Sequence, residues 1–477
     1  MKAQNSRLYY IDWLRILAFA LLFLFHSWRP FDHYSWNIKN ADQSIIFDLL
    51  TFFTHGWRMD LIFLISGVGT WFALNSRKSA FFSDRIKRLI IPFIVGIVFI
   101  IPPQKFYEAI SFHGFQGDYF QFLKAWPVYA FSQNFGASIL FWFGHLGAHI
   151  YYLPYLFTMT VIVVPVYKLM QNRNFNFEKL ESLIVTPWGV FLLVLPLIII
   201  RYGLKPIFPG YTDWADFFSY MCIFIYGFIL MKNPGFVEII KQRMWLFLNI
   251  GIISNVLLLY YIKQSDAHMQ LYLKPEYGFN HLYLSVLSVL ISFCWVMFFV
   301  GLAAKKLNFN HKFIQPANTA ILPIYILHQT LIVVLGYYII QINAPIIVKY
   351  LLIAGTAIPL SVLLYLVMKR FSLLRFLVGL KPKTKNNTND IDAKKKLSPV
   401  YSRVIHNLNV KSLKRFILIV AFVLAITPAY SQNKQAYSRL NILGAGCGVE
   451  YFISPKVAFY HELGLSYWGK INDKILG

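Results

Sequence analysis

Long apolar runs recur along the first 370 residues, each close to the ~20 helical residues needed to cross a bilayer. They fall near residues 9–28, 50–74, 89–106, 148–168, 184–201, 214–231, 245–262, 281–304, 317–340 and 346–368. Short polar or basic connections separate them. The pattern predicts an all-α polytopic membrane protein whose core, residues 1–370, is a ten-helix transmembrane bundle. One further apolar stretch, WPVYAFSQNFGASILFWF at 126–143, reads as re-entrant or interfacial, because an extra crossing there would invert every later connection.

Beyond residue 370 the pattern changes. Residues 371–413 read as a basic cytoplasmic linker, and from Lys381 onward the composition is polar and basic without apolar periodicity, as in a flexible segment. Residues 414–432, KRFILIVAFVLAITPAYSQ, have the basic start, short apolar run and small residues of a signal peptide, or form an extra apolar segment. Residues 433–477 alternate with the period of two and the aromatics of an outer-membrane barrel strand. Two or three strands cannot close a barrel, so this tail reads as the front of a separate secreted barrel protein joined to the core. LGAGCG at 443–448 lacks the strand, helix and acidic residue of a dinucleotide site.

Composition agrees with the membrane reading: 57% of residues are hydrophobic and 14% charged. The net charge of +25 is an orientation signal rather than a nucleic-acid footprint. With the N-terminus inside, the cytoplasmic segments hold 22 Lys and Arg and the external loops 8, as the positive-inside rule requires. The expected orientation therefore has the N-terminus cytoplasmic. The three cysteines have no disulfide or metal spacing, and no metal site is expected. External aromatics such as Trp28, Tyr34, Trp36 and Trp126 mostly read as an interfacial belt.

Several ionisable side chains stand where lipid makes them costly. Arg15 and His26 are eleven residues apart, so at 100° per residue they lie within about 20° of one helix face, separated by ~16 Å along the axis. Asp12, one turn before Arg15, is placed to pair with it. In THGWRMDLIFLISG, His55, Arg58 and Asp60 sit at the external mouth of the second helix, with Asp60 as a candidate partner of Arg58. Ser66 and Gly67 lie within that helix, where small residues permit close contact. Arg85 and Arg88 in SDRIKRLIIP are one turn apart and form a fork for phosphate oxygens or mark topology. His149 opens the fourth helix and His328 lies inside the ninth. Each alone fits a structural role; together they point to a wet cavity.

This constellation resembles the bacterial acyltransferase-3 family of membrane acyltransferases. The resemblance rests on Asp12, Arg15 and His26 in the first helix, the Phe63–Gly67 stretch in the second, and Arg85-x-x-Arg88. Within that family the run from His55 to Gly67 looks most like the glucan succinyltransferase branch. It covers roughly residues 7–370. Where the family often has His-Leu-Trp-Phe-Leu, this chain has His149-Ile150-Tyr151-Tyr152-Leu153.

The resemblance implies an O-acyltransferase that moves an acetyl or succinyl group from cytoplasmic acyl-coenzyme A to a hydroxyl of a periplasmic or surface glycan or lipid-linked sugar. No permanently bound cofactor is implied, and the partners are the bilayer, acyl-CoA and the glycan. His26 then serves as base or acyl carrier, Arg15 and Asp12 complete the catalytic helix, and Arg85 and Arg88 hold the donor phosphates. His55, Arg58, Ser66, His149 and His328 line the substrate pocket. A transporter or flippase for a glycan or lipid precursor is the competing class. The sequence leaves the oligomeric state open.

Overall fold

The computed structural model describes residues 7–76, 81–131, 139–172 and 182–381, together with three strands beyond residue 448. Helix α1 (Tyr9–Trp28) carries Asp12 in its first turn, where an anion meets the positive end of the helix dipole, and it gives way to a short turn containing Pro30. Tyr10, Leu14, Ala18, Leu22 and Phe25 are buried at intervals of three or four residues, whereas Leu17 and Leu24 are exposed. One face thus enters the bundle, and the other is bare and apolar, as contact with lipid demands.

The second apolar run forms two helices, α2 (Ile45–His55) and α3 (Arg58–Ser76), interrupted at Gly56–Trp57. The third is the continuous helix α4 (Phe81–His113), which contains two wide π turns at 86–90 and 96–100. Next come α5 (Tyr119–Phe131), α6 (Ile139–Gly147) and α7 (Tyr152–Asn172). The stretch expected to be re-entrant is divided between α5 and α6, and its centre lies outside the described residues. The remaining helices are α8 (Val194–Leu204), α9 (Trp214–Lys232), α10 (Pro234–Lys263), α11 (Asp266–Leu273), α12 (Phe279–Lys306), α13 (Ile314–Ile339), α14 (Ile346–Met368) and α15 (Ser372–Leu377). Among the described residues, nine helical segments, one fewer than the pattern predicts, are long and apolar enough to cross a bilayer, and Gly189–Leu204 is an apolar helix below that length. The chain is a multi-pass membrane protein.

Helix α1 packs against α3, α12, α13 and α14. Helices α1 and α3 run antiparallel, for Arg58 at the start of α3 lies against Phe25, and Gly69 further along lies against Arg15. We term the end where α1 begins basal and the other end apical. Helices α3 and α9 meet through glycines: a Cβ on Gly67 would stand 2.0 Å from the Phe224 carbonyl oxygen, and one on Gly227 would stand 2.4 Å from that of Leu64. The backbone contact anticipated at Gly67 is real, and no side chain fits it. Gly67→Ala is expected to cost about 1–3 kcal/mol, the usual range for overpacking. A thermal midpoint unchanged in detergent would contradict that close approach.

Residues 32–44 fold back into the apical end. Asp32 is fully buried and meets Arg29 at 2.7 Å, the Thr51 hydroxyl at 2.8 Å and the Lys39 ammonium. Burial pushes the Lys39 ammonium down to about 8, with Asp32 opposing the shift. Trp28 donates to the Thr51 hydroxyl at 3.0 Å. Ile38 is completely buried, and Lys349 donates to Asn40 at 2.9 Å. This stapled loop holds Trp36 and Asn37 over the centre of the bundle.

Later in the chain, β1 (Val449–Ser454), β2 (Val457–Glu462) and β3 (Leu465–Lys470) form an antiparallel meander. The β2–β3 register runs from Val457↔Lys470 to Glu462↔Leu465. These strands fall within the stretch read as β-prone, while 382–413 and 414–432 lie outside the described residues.

Candidate active site

Three imidazoles converge inside the bundle. His26 comes from the last turn of α1, His328 from the middle of α13, and His149 from a 3₁₀ turn before α7. The His328 ring centroid is 5.1 Å from that of His26 and 5.2 Å from that of His149. The three histidines, scattered over three hundred residues of sequence, form one row with His328 in the middle.

Hydrogen bonds assign them different states. His149 Nε2 lies 3.1 Å from the Ile326 carbonyl oxygen, which can only accept, so Nε2 carries the proton. Its Nδ1 is 3.3 Å from the Gln104 amide nitrogen and accepts from it. Both nitrogens of His149 are therefore occupied. His328 Nδ1 is 2.5 Å from the Tyr325 carbonyl oxygen and donates to it, which leaves Nε2 with a lone pair, and that buried atom has no partner. His26 Nδ1 is likewise buried without a partner. A buried polar group left unsatisfied is costly, and two such groups on rings 5.1 Å apart mark where a reacting group would sit.

The surroundings fix this arrangement. Ala148, just before His149, has φ of +42°, a left-handed conformation costing about 1–3 kcal/mol in a residue with a Cβ. The Tyr325 hydroxyl donates to the His149 carbonyl at 2.6 Å and holds the turn in place. Gln329 Nε2 lies 3.2 Å from both Asn37 Oδ1 and Gln104 Oε1, and Asn37 donates in turn to Glu108. Glu108 is paired with Lys105 at 2.9 Å. A chain of side-chain amides thus runs from an ion pair to His149 and fixes its tautomer. Trp36 stacks on the His26 ring, with centroids 6.1 Å apart and planes 21° from parallel.

Arg58 sits at the apical side of this row. It is only 3% exposed, and its Nε and Nη1 have no hydrogen-bond partner. Its guanidinium carbon lies 3.5 Å from the Phe25 ring centroid, so its electrostatic partner is an aromatic face. The expected pairing with Asp60 does not occur, and Arg58 is buried within the protein. His55, at the end of α2, is exposed, with its ring 5.2 Å from that of Tyr211.

At the basal side, Arg15 is half-buried, its Nη1 3.5 Å from Asn318 Oδ1. Arg85 donates to the Thr70 hydroxyl at 2.8 Å, and the Ser66 and Tyr152 hydroxyls are 2.6 Å apart. Tyr152 lies within electrostatic reach of both Arg15 and Arg85. Asp12 does not pair with Arg15: its carboxylate is 2.7 Å from Arg7, a residue outside the helix that folds back over its start. Arg85 is half-buried and Arg88 exposed. The π turn that begins between them widens the helix, so residues three apart no longer share a face.

The reading of the external tryptophans as a belt is also corrected. Trp28 and Trp126 are buried and Trp36 packs on His26, so all three serve the interior. Gln104, Gln329 and Asn37 escaped the sequence reading. Gln104 and Gln329 were detectable as amides inside apolar runs, one after Pro102–Pro103 and the other beside His328. Among the described residues no group of three or more His, Cys, Asp and Glu is disposed to hold a metal ion.

A polytopic bundle that gathers three imidazoles between a basal and an apical group of arginines has the layout of a candidate membrane enzyme centre. Residues 8–366 match the acyltransferase 3 family, described as an acyltransferase domain. The chain belongs to that family and is a membrane acyltransferase. Glucans biosynthesis protein C of Escherichia coli (strain SMS-3-5 / SECEC) is 22% identical over 399 residues, 82% of this chain and 98% of its own length. The proteins of the same name from strains K12 and O9:H4 (strain HS) show the same identity and coverage. No solved structure matches the chain.

Proposed function

We propose that the protein transfers an acetyl or succinyl group from acyl-coenzyme A, entering at the basal side, to a sugar hydroxyl presented at the apical side. In this reading the basal side is cytoplasmic, the membrane is a bacterial inner membrane and the acceptor is a periplasmic or surface glycan or a lipid-linked sugar. The observation that carries it is the pair of partnerless imidazole nitrogens on His26 and His328, set between Arg15 and Arg85 on one side and Arg58 on the other. Relatives named for glucan biosynthesis favour a glycan acceptor.

The chemistry follows from the positions. His26 takes the proton of the acceptor hydroxyl, whose oxygen attacks the thioester carbonyl carbon. Negative charge develops on the carbonyl oxygen, where a buried guanidinium such as Arg58 stabilises it far better than a solvated one would. The carbon–sulfur bond then breaks, and the departing thiolate recovers the proton from the imidazole. His328 Nε2 lies beside His26 to share that proton. Arg15, Arg85 and the exposed Arg88 offer cations to the donor phosphates at the basal mouth.

Purified protein given radiolabelled acetyl- or succinyl-coenzyme A and a glucose oligosaccharide is expected to move label onto the sugar. Unmodified sugar crossing a vesicle, with the thioester intact, would instead make the protein a carrier.

A further inference from the structure

The mechanism leaves one group of side chains unused. On the apical side Tyr211 and Tyr34 are 41% and 42% exposed, and His55 is exposed beside them. Tyr211 and His55 are nonetheless closely surrounded by protein, Tyr211 by Tyr151 and His55 at 2.9 Å and 5.2 Å. Side chains that are accessible and yet enclosed line a concavity.

That concavity borders the imidazole row. Arg58 and Arg29 lie within electrostatic reach of both His55 and His26, and Tyr211 is an electrostatic neighbour of Arg58. Carboxylate and cation are both at hand: Asp216 is paired with Lys205 at 3.0 Å and lies close enough to act on Tyr211. Tyr272, on α11, neighbours Tyr34, Arg201 and Asp216 and closes the far side.

Tyr211 is held there against a local cost. The next residue, Thr212, has φ of +60°, a conformation a β-branched side chain resists, at about 1–3 kcal/mol. Three contacts enforce it. The Tyr155 hydroxyl donates to the Thr212 carbonyl, the Thr212 amide donates to Asp216 at 3.1 Å, and the Tyr211 hydroxyl is 2.9 Å from that of Tyr151. Gly144 leaves the necessary room, since a Cβ there would stand 2.6 Å from the Thr212 hydroxyl. Two non-glycine residues with positive φ occur among the described residues, and both adjoin this centre: Ala148 sets His149, and Thr212 sets Tyr211.

We propose that Tyr211, presented by the strained turn at Thr212 with one side packed against His55, is the stacking platform of the acceptor subsite, and that its ligand is a neutral sugar ring. A phenol face covers the apolar C–H face of a sugar, while His55 and Asp216 supply hydrogen-bond partners for its hydroxyls. A ring bound there points one hydroxyl past Arg58 towards His26. This inference rests on the acyl-transfer reading above.

The test is steady-state kinetics of the purified full chain with glucose, galactose and N-acetylglucosamine tetrasaccharides as acceptors. Tyr211→Ala is expected to raise the acceptor KM about tenfold, the order of one lost aromatic contact, with the donor KM unmoved. Tyr211→Phe, which keeps the ring and loses only the hydroxyl, is expected to stay within about threefold of the wild type. Quenching of tryptophan fluorescence by the best acceptor should weaken in parallel for the alanine variant and not for the phenylalanine one, an outcome independent of turnover. Wild-type transfer with equal acceptor KM in the alanine variant, or a rise confined to the donor KM, would overturn the platform and leave the acyl-transfer reading standing. Failure of the wild type to cleave acyl-coenzyme A with any acceptor would overturn that reading as well.

Discussion

His26→Ala is expected to lower acyl transfer by about 10²–10⁴-fold, the contribution of one well-placed base, while the protein remains folded in the membrane. Folding should survive because His26 Nδ1 has no hydrogen-bond partner to lose, and the ring's contacts with Trp36, Phe25 and His328 are replaced by a small space at a half-buried site. Donor binding should persist, since the cations at the basal mouth are untouched. The check is label transfer alongside size-exclusion behaviour and donor affinity. Transfer at the wild-type rate would remove His26 from the chemistry and leave His328, whose Nε2 lone pair is equally open, as the base.

Arg58→Met separates activity from stability. Arg58 is buried with two guanidinium nitrogens unsatisfied, and among the described residues no carboxylate forms an ion pair with it. A buried charge without a counter-ion costs several kcal/mol, so replacing it by an apolar side chain of similar length should leave the thermal midpoint unchanged or raised. Transfer should nevertheless fall by about 10²–10³-fold, as when one oxyanion-stabilising group is removed. A variant that lost stability and activity together would make Arg58 a structural residue. Activity retained at a raised midpoint would exclude it from the site.

The sequence carried the bundle and one stripe of the site, for identifiable reasons. Span positions were legible because apolar length is a one-dimensional property, and α1 begins and ends where the pattern placed it, at residues 9 and 28. Arg15 and His26 were legible as a pair because a regular helix fixes their angular relation. Where regularity fails, so does the reading. The break at Gly56–Trp57 falls among His55, Arg58 and Asp60, polar residues that were read only as the mouth of a single helix, and Arg58 stands at the head of a new one. The π turn beginning at Ile86 separates Arg85 from Arg88 although their spacing suits an α-helix. Asp12 was assigned to Arg15 by local spacing, whereas a residue beyond the helix end, Arg7, reaches it first. The imidazole row and the amide chain from Glu108 to His149 join α1, α4, α13 and the turn before α7, and contacts between elements so distant in sequence are set by packing that no single segment encodes.

The central claim is that donor and acceptor reach one imidazole centre from opposite faces of the bundle. Sealed vesicles holding the protein in a single orientation, with radiolabelled acyl-coenzyme A only inside and oligosaccharide only outside, test it most directly. Labelled ester should accumulate on the outer sugar while the labelled thioester stays enclosed, and the His26→Ala protein should yield none. Label appearing only when donor and acceptor share a compartment would contradict the claim.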